Sequence, residues 1–214
     1  MLPFTPEQFL SVFSEYNKAI WPAQIVAYLL GATAVVALFG KGDRPSRIIL
    51  GVLVIMWAWT GIAYHLAFFS AIDKAAFAFG ALFIVQAAAL AHAGLFHSRI
   101  TFGLYRTPAA WVGVFLVLYA AMLYPLLGIA TGHRYPELPM FGITPCPVTI
   151  FTFGMLLLTS RPPPIALLVI PVLWSLMGGS AAILLNVQQD WLLLVSGIVT
   201  VGLMFVRTRT EIAA

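Results

Sequence analysis

The stretch IILGVLVIMWAWTGIAYHLAFFSA, residues 48–71, decides what kind of fold this chain adopts. It holds no Asp, Glu, Lys or Arg, and its apolar residues run on without a break. A helix needs about 20 such residues to cross the hydrocarbon of a bilayer. A barrel strand would instead alternate apolar and polar residues over a shorter run. The stretch therefore predicts a membrane-spanning helix. Six more stretches read the same way: 20–40, 75–96, 108–130, 145–160, 164–186 and 190–206. Of these, 145–160 is the shortest.

Composition agrees. Of the 214 residues, 62% are hydrophobic and 8% are charged, where a soluble domain carries about a quarter charged. Mean hydropathy is +1.00. The expected fold class is an all-α integral membrane protein with seven transmembrane helices. No cleavable signal peptide is visible, because MLPFTPEQFLSVFSEYNKAI lacks a basic region ahead of an apolar one. One cysteine excludes an internal disulfide. The net charge of +4 lies in the loops and is no sign of a nucleic-acid partner.

The loops set the orientation. With seven spans, Lys18, Lys74 and Arg134 fall on one side. Lys41, Arg44, Arg47, Arg99, Arg106, Arg161, Arg207 and Arg209 fall on the other. The basic side faces the cytoplasm, which predicts N-out and C-in, in a bacterial inner membrane. Ahead of the first span, Thr5, Pro6 and Gln8 form a capping-box pattern with proline at the first helical position. Phe9, Phe13, Tyr16 and Ile20 share a face. This segment either lies on the outer membrane surface or packs on the bundle.

The chain also carries an internal echo. RPSRIILGVLVIMW, residues 44–57, aligns with RPPPIALLVIPVLW, residues 161–174. At the same offset of 117, Gly61 meets Gly178, Asp73 meets Asp190 and Gly80 meets Gly197. Allowing for loop length, IWPAQIVAYLLG (20–31) lies against ITPCPVTIFTFG (143–154). This predicts a 3+1+3 parallel repeat. The parts are an interfacial helix at 1–19, repeat one at 20–97, a linker helix at 108–131, repeat two at 143–207 and a cytoplasmic tail at 208–214. Pro22 and Pro145 each open a span, where a missing N–H leaves nothing unsatisfied. Cys146 stands where Ala23 stands in the first half. That makes it a small helix-start hydrophobe unless other soft ligands meet it.

MLPFTPEQFL, MWAWTGIAYHLAFFSAI and FGITPCPVTIFTFG resemble a family of small bacterial multi-pass proteins known as a domain of unknown function. The likeness covers nearly the whole chain and implies no activity. The three-plus-one-plus-three layout is similar in topology to the SWEET-type sugar transporters. Those carry prolines in spans one, two, five and six. Here Pro22, Pro145 and Pro171 take such places, while the second span has none.

Polar groups at membrane depth are costly and mark candidate sites. No acidic or basic residue is expected well inside a span, which excludes a carboxylate proton pump. The last span offers no lysine for a retinal Schiff base. Thr60, His65, Gln86, His92, Ser175, Ser180 and Asn186 remain. Trp57, Gly61, Tyr64 and Phe68 are spaced three or four apart and fall on one face of the second span. With Thr60, His65, Tyr124 and the repeat-related Trp174, the first three of these are candidates to line a central aromatic cavity. The alternative is ordinary aromatic packing. His65, His133 and Cys146 are all expected towards the outer side, so they are also candidate ligands for copper, zinc or mercury. No Cys-x-x-Cys or His-x-x-x-His pattern accompanies them, and no other cofactor is indicated. His97 is expected on the cytoplasmic surface.

MGGSAA, residues 177–182, resembles the serine segment of an intramembrane protease. That chemistry needs a general base, and His92 is expected on the opposite side. No enzyme is predicted. The expected function is binding or transport of a small, weakly charged solute. A soft-metal protein and a structural membrane subunit are the alternatives. The bilayer and the solute are the expected partners, and an oligomer is compatible with the sequence.

Overall fold

The computed structural model describes residues 3–96 and 100–213. His97 and Arg99 lie outside the described residues. Each of the seven predicted stretches contains a helix. In chain order these are α2 (Ala23–Ala37), α3 (Asp43–Trp59), α4 (Ala76–Phe96), a rod of α5 (Pro108–Leu118) and α6 (Tyr124–Ala130), α7 (Pro145–Leu157), α8 (Ala166–Leu184) and α9 (Trp191–Ala213). An eighth helix, α1 (Pro6–Ala19), precedes them.

Five helical stretches are long and apolar enough to cross a membrane, and a sixth if α1 and α2 count as one bent segment. The molecule is thus an all-helical protein of membrane type. Phe39, Trp111, Ile165 and Leu184 stand exposed on its flanks. Such a surface is disfavoured in water and suits lipid. The expected length holds less well for two segments. α2 has 15 residues and α7 has 13. At about 1.5 Å per residue, α7 is roughly 20 Å long, short of a hydrocarbon core of about 30 Å.

The position of α7 explains how a short helix serves. All of its residues but Cys146 are buried, with α3, α5, α8 and α9 packed around it. It is a core helix sheathed in protein. At its C-terminal end, where carbonyls lack helical partners, the Arg207 guanidinium donates to the oxygens of Leu157 (3.3 Å) and Thr159 (2.6 Å). Gly103 N–H donates to Leu158 O at 2.9 Å. Its closest neighbour is α5. A Cβ on Gly154 would stand 2.9 Å from Gly113 O, and one on Gly113 would stand 2.8 Å from Gly154 O. Gly113 thus permits a backbone contact, while Gly94 meets only ordinary contacts with Leu50 at 3.4 Å.

Pro171 sits inside α8. It cannot donate to the carbonyl of Leu167, four residues earlier. Gln86 of α4 supplies the missing donor, its Nε2 lying 3.0 Å from Leu167 O. A buried glutamine of one helix thus repairs the ladder that a proline breaks in another.

α1 has the predicted capping box. Thr5 Oγ1 accepts from Gln8 N–H at 3.3 Å, and Thr5 N–H donates to Gln8 Oε1 at 2.8 Å. The helix turns 86° from α2 and buries Val12, Phe13, Tyr16 and Asn17 against the bundle. Of the two readings left open by the sequence, packing on the bundle is what these contacts show. Asn17 ties the helix down. Its Nδ2 donates to Pro136 O (2.7 Å) and Leu138 O (2.8 Å).

The two halves differ in environment. α2 buries one face only, Gln24, Ala27, Gly31 and Ala34, whereas its expected counterpart α7 is enclosed.

Candidate functional site

Two helices change their winding near the end that carries α1. After Trp59 the α3 ladder widens to a π-helix over Thr60–Phe68, and after Leu118 the α5 ladder does so over Tyr119–Leu123. Such segments are short and concentrate at functional sites, because the extra residue per turn re-aims side chains. At the first junction Thr60 Oγ1 donates to Met56 O at 2.8 Å. This hydroxyl competes with the backbone for the carbonyl.

The first π-segment carries Tyr64 and His65. Tyr64 stacks on Phe13 of α1 (5.3 Å, 21°) and on Phe69 (5.7 Å, 12°). His65 is fully buried among the rings of Phe83 (4.7 Å), Trp174 (5.1 Å) and Phe79 (5.9 Å). Neither of its nitrogens has a hydrogen-bond partner among the described residues.

The second π-segment turns Tyr119 and Tyr124, five residues apart, toward the turn Gln188–Asp190 that precedes α9. Tyr119 OH donates to Gln189 O at 2.7 Å. Tyr124 OH donates to Asp190 Oδ1. Asp190 is 3% exposed. A buried carboxylate is tolerated only with such donors. The Cys146 thiol lies against Asp190 and Trp174.

These groups meet at a cavity of about 330 Å³. One wall is α1 with Phe9 and Phe13, and Phe4 ahead of them. A second is Tyr64, Phe69 and Phe79. A third is Trp174, Gly178 and Ala181 of α8. Cys146 and Asp190 close the base, and Asp73 lies at the side of the α3–α4 turn. A separate, more polar cavity of about 250 Å³ holds Thr131, His133 and Gln188 and shares Phe9, Leu185 and Val187 with the first.

Of the expected cavity residues, Tyr64 and Trp174 line this space. Tyr124 stands one step behind, through Asp190. His65 is packed behind Trp174. Trp57 is not among the lining residues. It is fully buried, with Nε1 donating to Thr152 Oγ1 at 2.8 Å and Phe83 between it and Trp174. Gly61 lets α3 and α4 approach: a Cβ there would stand 3.0 Å from Gly80 O. Thr60 is buried beside it. The three proposed metal ligands are dispersed. Cys146 lines the large cavity, His65 sits behind its wall and His133 lines the polar one. Among the described residues no three His, Cys, Asp or Glu side chains are grouped to hold a metal ion.

The sequence reading missed Asp190 and the phenylalanines of α1. Asp190 was expected to mark a span end, and it is buried at the cavity base. One signal was present. Asp73 and Asp190, paired by the offset of 117, both line the cavity.

Long apolar helices, a sheathed core helix and a partly open aromatic-lined cavity at one end define a polytopic helical protein of membrane type. The chain belongs to the family of unknown function DUF6064, whose sequence profile matches residues 6–214. No curated protein and no solved structure matches it.

Proposed function

We propose that this is a bacterial inner-membrane protein that binds or transports a small, weakly charged solute, and that the cavity beneath α1 is its site. All seven predicted helices are taken as membrane segments, with N-out and C-in topology. The short α2 gains reach from α1, and the short α7 is shielded from lipid by its neighbours. The cavity then opens toward the outer face. The 3+1+3 repeat draws support from Asp73 and Asp190, which sit in register and line the same space. The protein acts as a binder or carrier and not as an enzyme.

The observation that carries this reading is the cavity itself: about 330 Å³, with an apolar wall that includes seven aromatic side chains. Apolar pockets with a few placed polar groups are the usual form of a small-molecule site. Cys146, the chain's single cysteine, lines it and provides the test. A small, membrane-impermeant methanethiosulfonate added to intact cells is expected to label Cys146. Ala181→Phe, which places a ring in the cavity, is expected to slow labelling at least tenfold. Labelling only after the cytoplasmic face is exposed, or an unchanged rate in Ala181→Phe, would refute the site.

A further inference from the structure

Resting on the reading of this cavity as a solute site, we propose that its ligand is a small organic ammonium cation, held by Asp190 and surrounded by aromatic rings.

The wall chemistry selects the charge. Two carboxylates, Asp190 and Asp73, line the cavity, and among the described lining residues none is basic. Asp190 takes the Tyr124 hydroxyl as donor, and Asp73 Oδ1 accepts from Ala75 N–H at 2.9 Å. With the Cys146 thiol beside Asp190, these contacts all come from neutral groups, and none of the described lining residues sets a cation against either carboxylate. An anion would be repelled. The rest of the wall is apolar, and a sugar would need many more hydrogen-bonding groups than it offers. The indole N–H of Trp174 meets the Cys146 thiol, a weak acceptor, beside Asp190.

The rings select the shape. Phe9, Phe13, Tyr64, Phe69, Phe79 and Trp174 come from four separate segments and enclose one space. Ring faces attract ammonium groups, and more strongly where water is excluded. A volume of about 330 Å³ lies in the roughly 300–1,000 Å³ range of small-molecule pockets, enough for an aryl-alkyl amine. The polar cavity around Thr131 and Gln188 shares Phe9, Leu185 and Val187 with this one. It offers a hydrated approach on the side where α1 forms the wall.

The test uses the full chain purified in mild detergent at pH 7, with two probes of one skeleton. Phenethylammonium carries the charge, and 2-phenylethanol replaces the ammonium with a neutral hydroxyl. Calorimetric titration is expected to show the cation bound at least about tenfold more tightly. Asp190→Asn keeps an oxygen for Tyr124. It is expected to abolish the preference while leaving the alcohol within about twofold. Asp73→Asn, at a partly exposed position, is expected to reduce the preference by a smaller factor and covers the case in which Asp190→Asn fails to fold. Equal binding of the two probes to wild type overturns the cation proposal and leaves the solute site standing. So does equal loss of both probes in a folded Asp190→Asn variant. If neither probe binds wild type, the solute-site reading falls and the cation proposal with it.

Discussion

Trp57 and Trp174 occupy matching sequence positions, yet the structure gives them opposite work, and replacing each by phenylalanine separates the two. Trp57 is fully buried and its indole donates to Thr152 of α7. Hydrogen bonds between membrane helices average ~0.6 kcal/mol and reach about 1.7 kcal/mol. Shrinking an indole to a phenyl ring in a close-packed core adds about 1–2 kcal/mol. Thr152 still donates to Val148 O at 2.8 Å, so its hydroxyl is not orphaned. The total for Trp57→Phe is about 2–4 kcal/mol of lost stability. Trp174 is half-buried at the cavity and its indole meets the Cys146 thiol, a weak acceptor. Trp174→Phe removes only that weak contact and is expected to stay within about 1 kcal/mol of wild type. Binding should move the other way, with 2-phenylethanol affinity falling in Trp174→Phe and holding in Trp57→Phe. Reversible unfolding in mixed micelles with increasing dodecyl sulfate reads the stabilities, and calorimetry reads the binding. A Trp57→Phe protein as stable as wild type, or one that loses more affinity than Trp174→Phe, would refute the assignment.

Gly154→Ala should destabilise strongly, because the new methyl meets backbone atoms of Gly113 and Val117 that cannot yield. Gly51→Ala has open space around the added carbon and should stabilise α3 by up to about 0.5–1 kcal/mol. The same unfolding assay compares the two. Asn17→Leu strands the carbonyls of Pro136 and Leu138, at about 1–3 kcal/mol for each buried group. Limited proteolysis should then cut residues 131–144 faster. Because the proposed soft-metal ligands are dispersed, Cys146→Ser should leave copper and zinc content unchanged in elemental analysis. Stoichiometric metal lost in that variant would restore the metal reading.

Much of the fold was readable because lipid restricts the choices. A backbone in hydrocarbon must satisfy its own hydrogen bonds, so uninterrupted apolar runs could only be helices. Thr5 with Gln8 announced the start of α1, and the prolines at 22 and 145 announced helix starts. Gln86 was visible as an intramembrane polar group. Its partner was not, since nothing in the sequence places α4 beside the gap that Pro171 leaves.

The candidate site was legible only in part. Tyr64, Trp174 and Cys146 were singled out from the sequence, and the structure puts all three on one cavity. Trp57, equally conspicuous, is interior packing. Asp190 read as a span-end marker because it opens the last apolar run, and in the structure it is buried, with the Tyr124 hydroxyl donating to it in the turn Gln188–Asp190.

The sequence by itself determined that this chain is helical, apolar and suited to a membrane, and roughly where most of its helices lie. The tertiary structure alone decided which faces turn inward, that α7 is a sheathed core helix, and that α1 walls a cavity floored by a carboxylate. The physical reason is that helices apolar on every side carry no amphipathic stripe to point at the core. Their inward faces are chosen by close packing, glycine contacts and a few polar pairs between helices distant in sequence.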